Sequence, residues 1–162
     1  MKRTIFTEEH ELFRKTIRHF VKREIVPNYP QWEKDKQVPK EIWRKLGELG
    51  GLCPMAEEEY GGLGLDILFQ TIVNEEIAKE GCSGFLVPVH NDLVFPYFDR
   101  YGTEEQKRKW YPKMISGETI TGLAMSESDA GSFLAGIKTT AVKKGNKFII
   151  NGSKTFISNG QI

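Results

Sequence analysis

Two stretches of this chain carry residue types suited to holding a ligand against the main chain. The first runs Gly122-Leu-Ala-Met-Ser-Glu-Ser-Asp-Ala-Gly-Ser-Phe-Leu-Ala-Gly136, and the second is Lys154-Thr-Phe-Ile-Ser-Asn-Gly160. Small residues allow a ligand close to the backbone, and serine hydroxyls both donate and accept hydrogen bonds. The first stretch is too rich in glycine and serine to be core. Taken singly, Ser126, Ser128, Ser132 and Ser158 also read as ordinary turn and strand caps. It is the joint pattern that points to a ligand.

These stretches need elements to position them. Thr7 reads as an N-cap with Glu8 and Glu9 in the first turn, and Leu12, Phe13, Ile17, Phe20 and Val21 recur at helical spacing as far as Pro27. A second helix is predicted from Pro39 through Ile42, Trp43, Leu46 and Leu49, stopped by Gly50 and Gly51. Glu59 to Gly64 reads as a loop. After it, Leu65, Leu68, Phe69, Ile72, Val73 and Ile77 form the stripe of a third helix ending near Gly81. Residues 83 to 100 are strongly apolar but interrupted by Pro88 and Pro96, which predicts a buried, broken helix. Thr103-Glu-Glu-Gln106 is a capping box opening a fifth helix toward Met114.

Beyond Gly117 the pattern changes. Thr119 to Met125 alternates loosely, and Thr139 to Val142, Lys147 to Ile150 and Thr155 to Ile157 are short β-branched or aromatic runs. Gly145-Asn146 and Asn151-Gly152 supply hairpin turns between them. The predicted fold class is therefore α+β, with a helical domain over residues 1–118 and the first strands of an antiparallel β-domain over 119–162.

Composition removes several alternatives. The 23 basic and 22 acidic residues nearly cancel, and no predicted helix carries a one-sided basic face, which argues against nucleic acid and anionic membranes as partners. No apolar run reaches the ~20 residues of a membrane-spanning helix. Cys53 and Cys82 lack metal-ligand spacing and give no disulfide framework, so no metal is expected and a reducing compartment fits best.

The two ligand-suited stretches together resemble the flavin-cradling signature of the acyl-CoA dehydrogenase family. Ile5-Phe-Thr-Glu-Glu-His-Glu-Leu-Phe-Arg14, Glu58-Glu-Tyr-Gly-Gly-Leu-Gly64 and Tyr101-Gly-Thr-Glu-Glu-Gln-Lys107 resemble the same family, in its order and nearest its long-chain type. The resemblance covers the amino-terminal part of such an enzyme. It implies FAD as cofactor, fatty acyl-CoA as substrate, and α,β-dehydrogenation to trans-2-enoyl-CoA in β-oxidation. It also implies an electron-transferring flavoprotein as partner and a homo-oligomer when complete, in a bacterial cytoplasm or a mitochondrial matrix. An oxygen-using flavoenzyme of the same superfamily and a non-catalytic helical interaction module are the alternatives.

Carried over by position, the resemblance assigns Leu123, Ala124, Met125 and the Ser126 hydroxyl to the pyrimidine edge of the flavin. Gly131 would allow close approach of the pyrophosphate, and Ser132 would bond either it or the acyl-CoA. Phe156 and Ile157 would pack at the ring, with Ser158 at its N5/O4 edge. The catalytic carboxylate is expected beyond Ile162, which leaves Glu127 as a structural acceptor and no catalytic residue within the chain. Ser128 stands where the family often has proline, and Phe133 where an aspartate usually follows Gly-Ser; the second change leaves the geometry around Ser132 open. His90 reads either as a wall of an acyl-chain cavity or as a helix-interior polar residue with a backbone partner.

Overall fold

A computed structural model describes residues 3–162. Helix α1 (Glu8–Phe20) begins at Thr7, whose hydroxyl accepts from the His10 amide while the His10 ring accepts from the Thr7 amide, a reciprocal cap. It runs on through a wider π turn, Val21–Ile25. The sequence reading missed α2 (Tyr29–Asp35): Pro30 lies in its first turn, where an absent N–H is no loss, and Tyr29 and Trp32 are buried beneath it. Helix α3 (Lys40–Glu48) has Pro39 as its N-cap and buries Ile42, Trp43 and Leu46. Helix α4 (Ile67–Lys79) is capped by the Asp66 carboxylate, which accepts from the Leu68 amide at 2.8 Å.

The broken, buried helix predicted over 83 to 100 is corrected in two respects. The chain is helical over 87–101, with a π turn, Val89–Val94, running directly into α5 (Phe95–Tyr101). Shifted bonding in that turn lets the chain carry Pro96 without a break. Burial is also one-sided: His90, Asn91, Val94 and Phe95 face inward, while Leu93 and Tyr97 are exposed. Helix α6 (Glu104–Ile115) opens on the Thr103–Gln106 capping box as expected.

One apolar cluster joins α1, α3 and α4 through Ile17, Val21, Trp43, Leu46, Val73 and Phe85; a smaller one holds Cys53, Tyr60, Phe95, Tyr111 and Met114. Each such side chain contributes about 1.5–3 kcal/mol by leaving water. Between α1 and α4, the buried Glu76 carboxylate receives Arg14 at 3.0 Å, Arg18 at 2.8 Å and Lys79 at 2.7 Å.

Strands β1 (Thr140–Lys144) and β2 (Lys147–Asn151) pair antiparallel, from Thr140 opposite Asn151 to Lys144 opposite Lys147. Gly145 alone of the two turn residues has positive φ, 59°, the pattern of a type II′ hairpin. The other two predicted strands do not form. Thr119 to Met125 and Thr155 to Ile157 carry no ladder among the described residues; the nearest backbone bond runs from the Thr155 amide to the carbonyl of Ser126, one residue past Met125. Asn151-Gly152 ends β2 instead of turning a second hairpin. The order is that of the predicted α+β class: helices first, antiparallel strands second.

Candidate functional site

The two glycine- and serine-containing tracts lie side by side and run in opposite directions. The Thr155 amide donates to the Ser126 carbonyl at 2.9 Å, and the Lys154 ammonium donates to the Met125 carbonyl at 2.9 Å. At the other end a Cβ on Gly122 would stand 2.7 Å from the Ser158 carbonyl oxygen, so only glycine permits that approach. Ser126 therefore faces Thr155, and Ser158 faces Gly122. The two serines sit at opposite ends of the paired tracts.

What these tracts present is unpaired polarity beside an exposed aromatic ring. Leu123, Ser126, Ile157 and Ser158 are half-buried; Ala124, Met125, Gly131 and Ser132 are exposed. Among the described residues, the backbone amides of Leu123, Ala124, Met125 and Ser126, and of Phe156, Ile157 and Ser158, find no protein acceptor. The hydroxyls of Ser126, Ser128, Ser132 and Ser158 likewise have no protein partner, so the turn-cap reading of these serines is not met. Phe156 is 91% exposed and has φ 56°. A bulky residue in the left-handed region stores about 1–3 kcal/mol, and such strain clusters at ligand sites. Around Gly131 a Cβ would meet nothing within 4 Å, so packing within the chain does not demand a glycine there.

Glu127 organises the loop between the tracts. Its carboxylate accepts from the Thr139 hydroxyl at 2.5 Å, the Lys138 amide at 2.8 Å and the Thr139 amide at 3.0 Å, and pairs with Lys154 at 2.9 Å. The Thr139 hydrogen bond, with the Lys138 and Lys154 donors behind it, pulls its pKa down to about 2. A carboxylate held this way is a poor base and a good anchor. Reciprocal backbone bonds between Glu127 and Ala130, 2.9 and 3.2 Å, close the turn. Phe133 is exposed, with its ring edge 2.7 Å from where a Cβ on Gly136 would stand. The acceptor that shapes this loop is thus Glu127, and position 133 is free to be apolar.

His90 has the polar partners of the second reading, Thr121 and the Met114 backbone. It is fully buried, with Nδ1 2.9 Å from the Thr121 hydroxyl and 3.1 Å from the Thr121 amide, and Nε2 3.2 Å from the Met114 carbonyl. Burial lowers its pKa to about 4. Sequence reasoning missed Thr121 and Asn159, whose side-chain amide donates to the carbonyls of Thr121 at 3.1 Å and Leu86 at 3.3 Å. The local signal for Asn159 was its place before Gly160 in a ligand-suited tract; Thr121 gave none. Cys53 and Cys82 are buried thiols, both pushed up by burial, and no cluster of metal-ligating residues occurs among the described residues.

Comparison with known proteins matches this arrangement. The family model for the acyl-CoA dehydrogenase N-terminal domain covers residues 7–118, and that for the middle domain covers 122–162. The chain is 42% identical over 158 residues to the mitochondrial long-chain specific acyl-CoA dehydrogenase of Mus musculus, covering 98% of itself and 37% of that protein. A crystal structure of acyl-CoA dehydrogenase from Geobacillus kaustophilus superposes with a TM-score of 0.94 at 49% identity, over 98% of this chain and 42% of that one. A glutaryl-CoA dehydrogenase from Mycobacterium smegmatis in complex with FADH2 superposes with a TM-score of 0.88 at 32% identity, over 96% of this chain and 40% of that one. The chain thus spans about two-fifths of the length of these relatives. Since the two family models together account for nearly all of its residues, the chain belongs to the acyl-CoA dehydrogenase family.

Proposed function

We propose that the protein carrying this chain is an FAD-dependent dehydrogenase that converts fatty acyl-CoA thioesters to trans-2-enoyl-CoA. The observation that supports this reading best is the pair of antiparallel tracts, with their unpaired amides and hydroxyls beside the exposed, left-handed Phe156. Free donors and a bare aromatic face fit a flat, polar-edged ring better than they fit water.

In this reading the amides of Leu123, Ala124 and Met125 and the Ser126 hydroxyl would hold the pyrimidine edge, aiming donors where negative charge grows during the reaction. Phe156 and Ile157 would flank the ring, and Ser158 would bond its N5/O4 edge. Gly131 leaves bare main chain for a pyrophosphate, and Ser132 is exposed beside it. When bound, FAD supplies the acceptor for the hydride that leaves the acyl β carbon. Glu127 does not serve as the base for the α proton in this reading, since it is fully committed to Thr139, Lys138 and Lys154. An electron-transferring flavoprotein takes the electrons onward, and the complete protein is a homo-oligomer.

Anaerobic mixing of the flavin-loaded protein with saturated acyl-CoAs of graded length tests this. Loss of the flavin's visible absorption, with a product two hydrogens lighter, is the expected result. A flavin that stays oxidised with every acyl-CoA contradicts it, and rapid reoxidation in air would replace the dehydrogenase with the oxygen-using alternative.

A further inference from the structure

We propose that His90 and Asn159 are positioning residues that grip Thr121 from opposite sides and so fix Leu123–Ser126 against Ile157–Ser158; the flavin part of this inference rests on the function proposed above.

The partners of the His90 ring select one tautomer. A backbone amide can only donate, so the His90 Nδ1 lying 3.1 Å from the Thr121 amide carries a lone pair. A carbonyl can only accept, so the Nε2 lying 3.2 Å from the Met114 carbonyl carries the proton. A single neutral form of the ring satisfies both. The Thr121 hydroxyl, 2.9 Å away, donates to the same Nδ1. The edge-on Trp43 ring, its centroid 5.9 Å away, keeps the imidazole in this orientation, and Trp43 is itself braced by Phe85 at 4.8 Å.

The other side of Thr121 belongs to Asn159. Its side-chain amide spans the Thr121 and Leu86 carbonyls, and its own backbone has φ 64°, a conformation asparagine tolerates better than most residues. Thr121 is thus held at its amide by the helical part of the chain and at its carbonyl by the second tract. The next residue is Gly122, where the Ser158 carbonyl comes closest. Any shift of Thr121 is passed directly to Leu123 and Ser126 on one tract and to Ser158 on the other. A network anchored on the buried His90 and paired at every member favours a single arrangement.

The test uses three variants of the protein. His90→Phe removes both ring nitrogens, Asn159→Gly keeps the left-handed backbone but removes the side-chain donor, and the third combines them. For the wild type at pH 7, nitrogen NMR of His90 is expected to place the proton on Nε2 alone, and exchange of the Thr121 amide is expected to be slow. Asn159→Gly should speed that exchange, and should weaken FAD binding, by about tenfold, because the half-buried Thr121 carbonyl loses its donor. The double variant should lose less than the product of the single effects, since both changes release one residue. A proton on Nδ1, a Thr121 amide exchanging as fast as exposed neighbours, or independent effects of the two changes would overturn the grip. FAD affinity within about twofold of wild type in a folded Asn159→Gly variant would overturn its positioning role. If His90→Phe does not fold, Asn159→Gly and the wild-type tautomer still decide. Wild-type protein that takes up no FAD, yet shows the assigned tautomer and slow Thr121 exchange, would sink the proposed function and leave the grip standing.

Discussion

The Glu127 carboxylate lies 2.9 Å from the Lys154 ammonium, and this pair joins the two ligand-suited tracts at the end opposite Asn159. Lys154 also donates to the Met125 carbonyl, so a single ammonium ties the loop anchor to the backbone that carries Ser126.

That pairing gives a pH signature. The folded pKa of Glu127 lies near 2, below the 4.5 of an unperturbed glutamate, so its stabilisation is complete above pH 4.5 and is lost as pH falls toward 2. Glu127→Gln should therefore lower the thermal midpoint at pH 7, with the difference from wild type shrinking steadily below pH 4.5. A gap that stays constant across that window would show that ionisation of Glu127 does not contribute.

Two glycines should respond differently to the same methyl group. Gly62→Ala places a Cβ 2.0 Å from the Ala56 carbonyl oxygen and should cost about 1–3 kcal/mol of stability by chemical denaturation. Gly131→Ala enters open space, so its stability should stay within about 0.5 kcal/mol of wild type. FAD or acyl-CoA affinity should nevertheless fall with Gly131→Ala. An affinity equal to wild type would remove position 131 from the site.

Phe156 combines exposure with backbone strain, so stability and binding should move in opposite directions. Phe156→Gly relieves the left-handed conformation and should stabilise the flavin-free protein by up to about 1 kcal/mol. It also removes a stacking face worth about 0.5–1.5 kcal/mol, a loss of up to about tenfold in FAD affinity. Parallel thermal melts and flavin titrations check both signs.

The buried ion cluster between α1 and α4 should be a point of fragility. Burial opposes ionisation of Glu76, but hydrogen bonds from Arg18, Lys79 and Arg14 outweigh it and hold its pKa at about 2. Glu76→Ala takes one carboxylate from the buried Arg14 guanidinium, which keeps Glu75 at 2.6 Å, and should cost about 1–3 kcal/mol in urea unfolding. A loss under about 1 kcal/mol would mean that Glu75 alone satisfies Arg14.

Local chemistry made the helices readable. Thr7 and Thr103 cap as their sequences indicate, and α3 and α4 follow their apolar stripes. Helix α2 escaped notice because Pro27 reads as the end of the first helix and the seven-residue stretch behind it is too short to show a stripe, although a proline in a first turn, here Pro30, is permitted. The π turn before Pro96 likewise has no local signature that separates it from a break. Thr119 to Met125 and Thr155 to Ile157 have strand composition, but a strand exists only through its neighbours, and here a single backbone bond, from Thr155 to Ser126, lies beside them. In the candidate site, the tracts themselves were legible from small and hydroxyl residues. The role of Glu127 as anchor was legible too, whereas its partners Thr139 and Lys154 were not. His90, Thr121 and Asn159 meet across separations of 31 and 38 residues, and no spacing rule brings such groups together.

Titrating the flavin-free protein with FAD, and following flavin fluorescence, tests most directly whether the two tracts form one cradle. Saturation at one FAD per chain is expected for wild type, with weaker binding when either tract is altered, by Ser126→Ala on the first or Phe156→Gly on the second. Binding that is absent from the wild type, or that is unchanged by both substitutions, would contradict the assignment of these residues to a flavin.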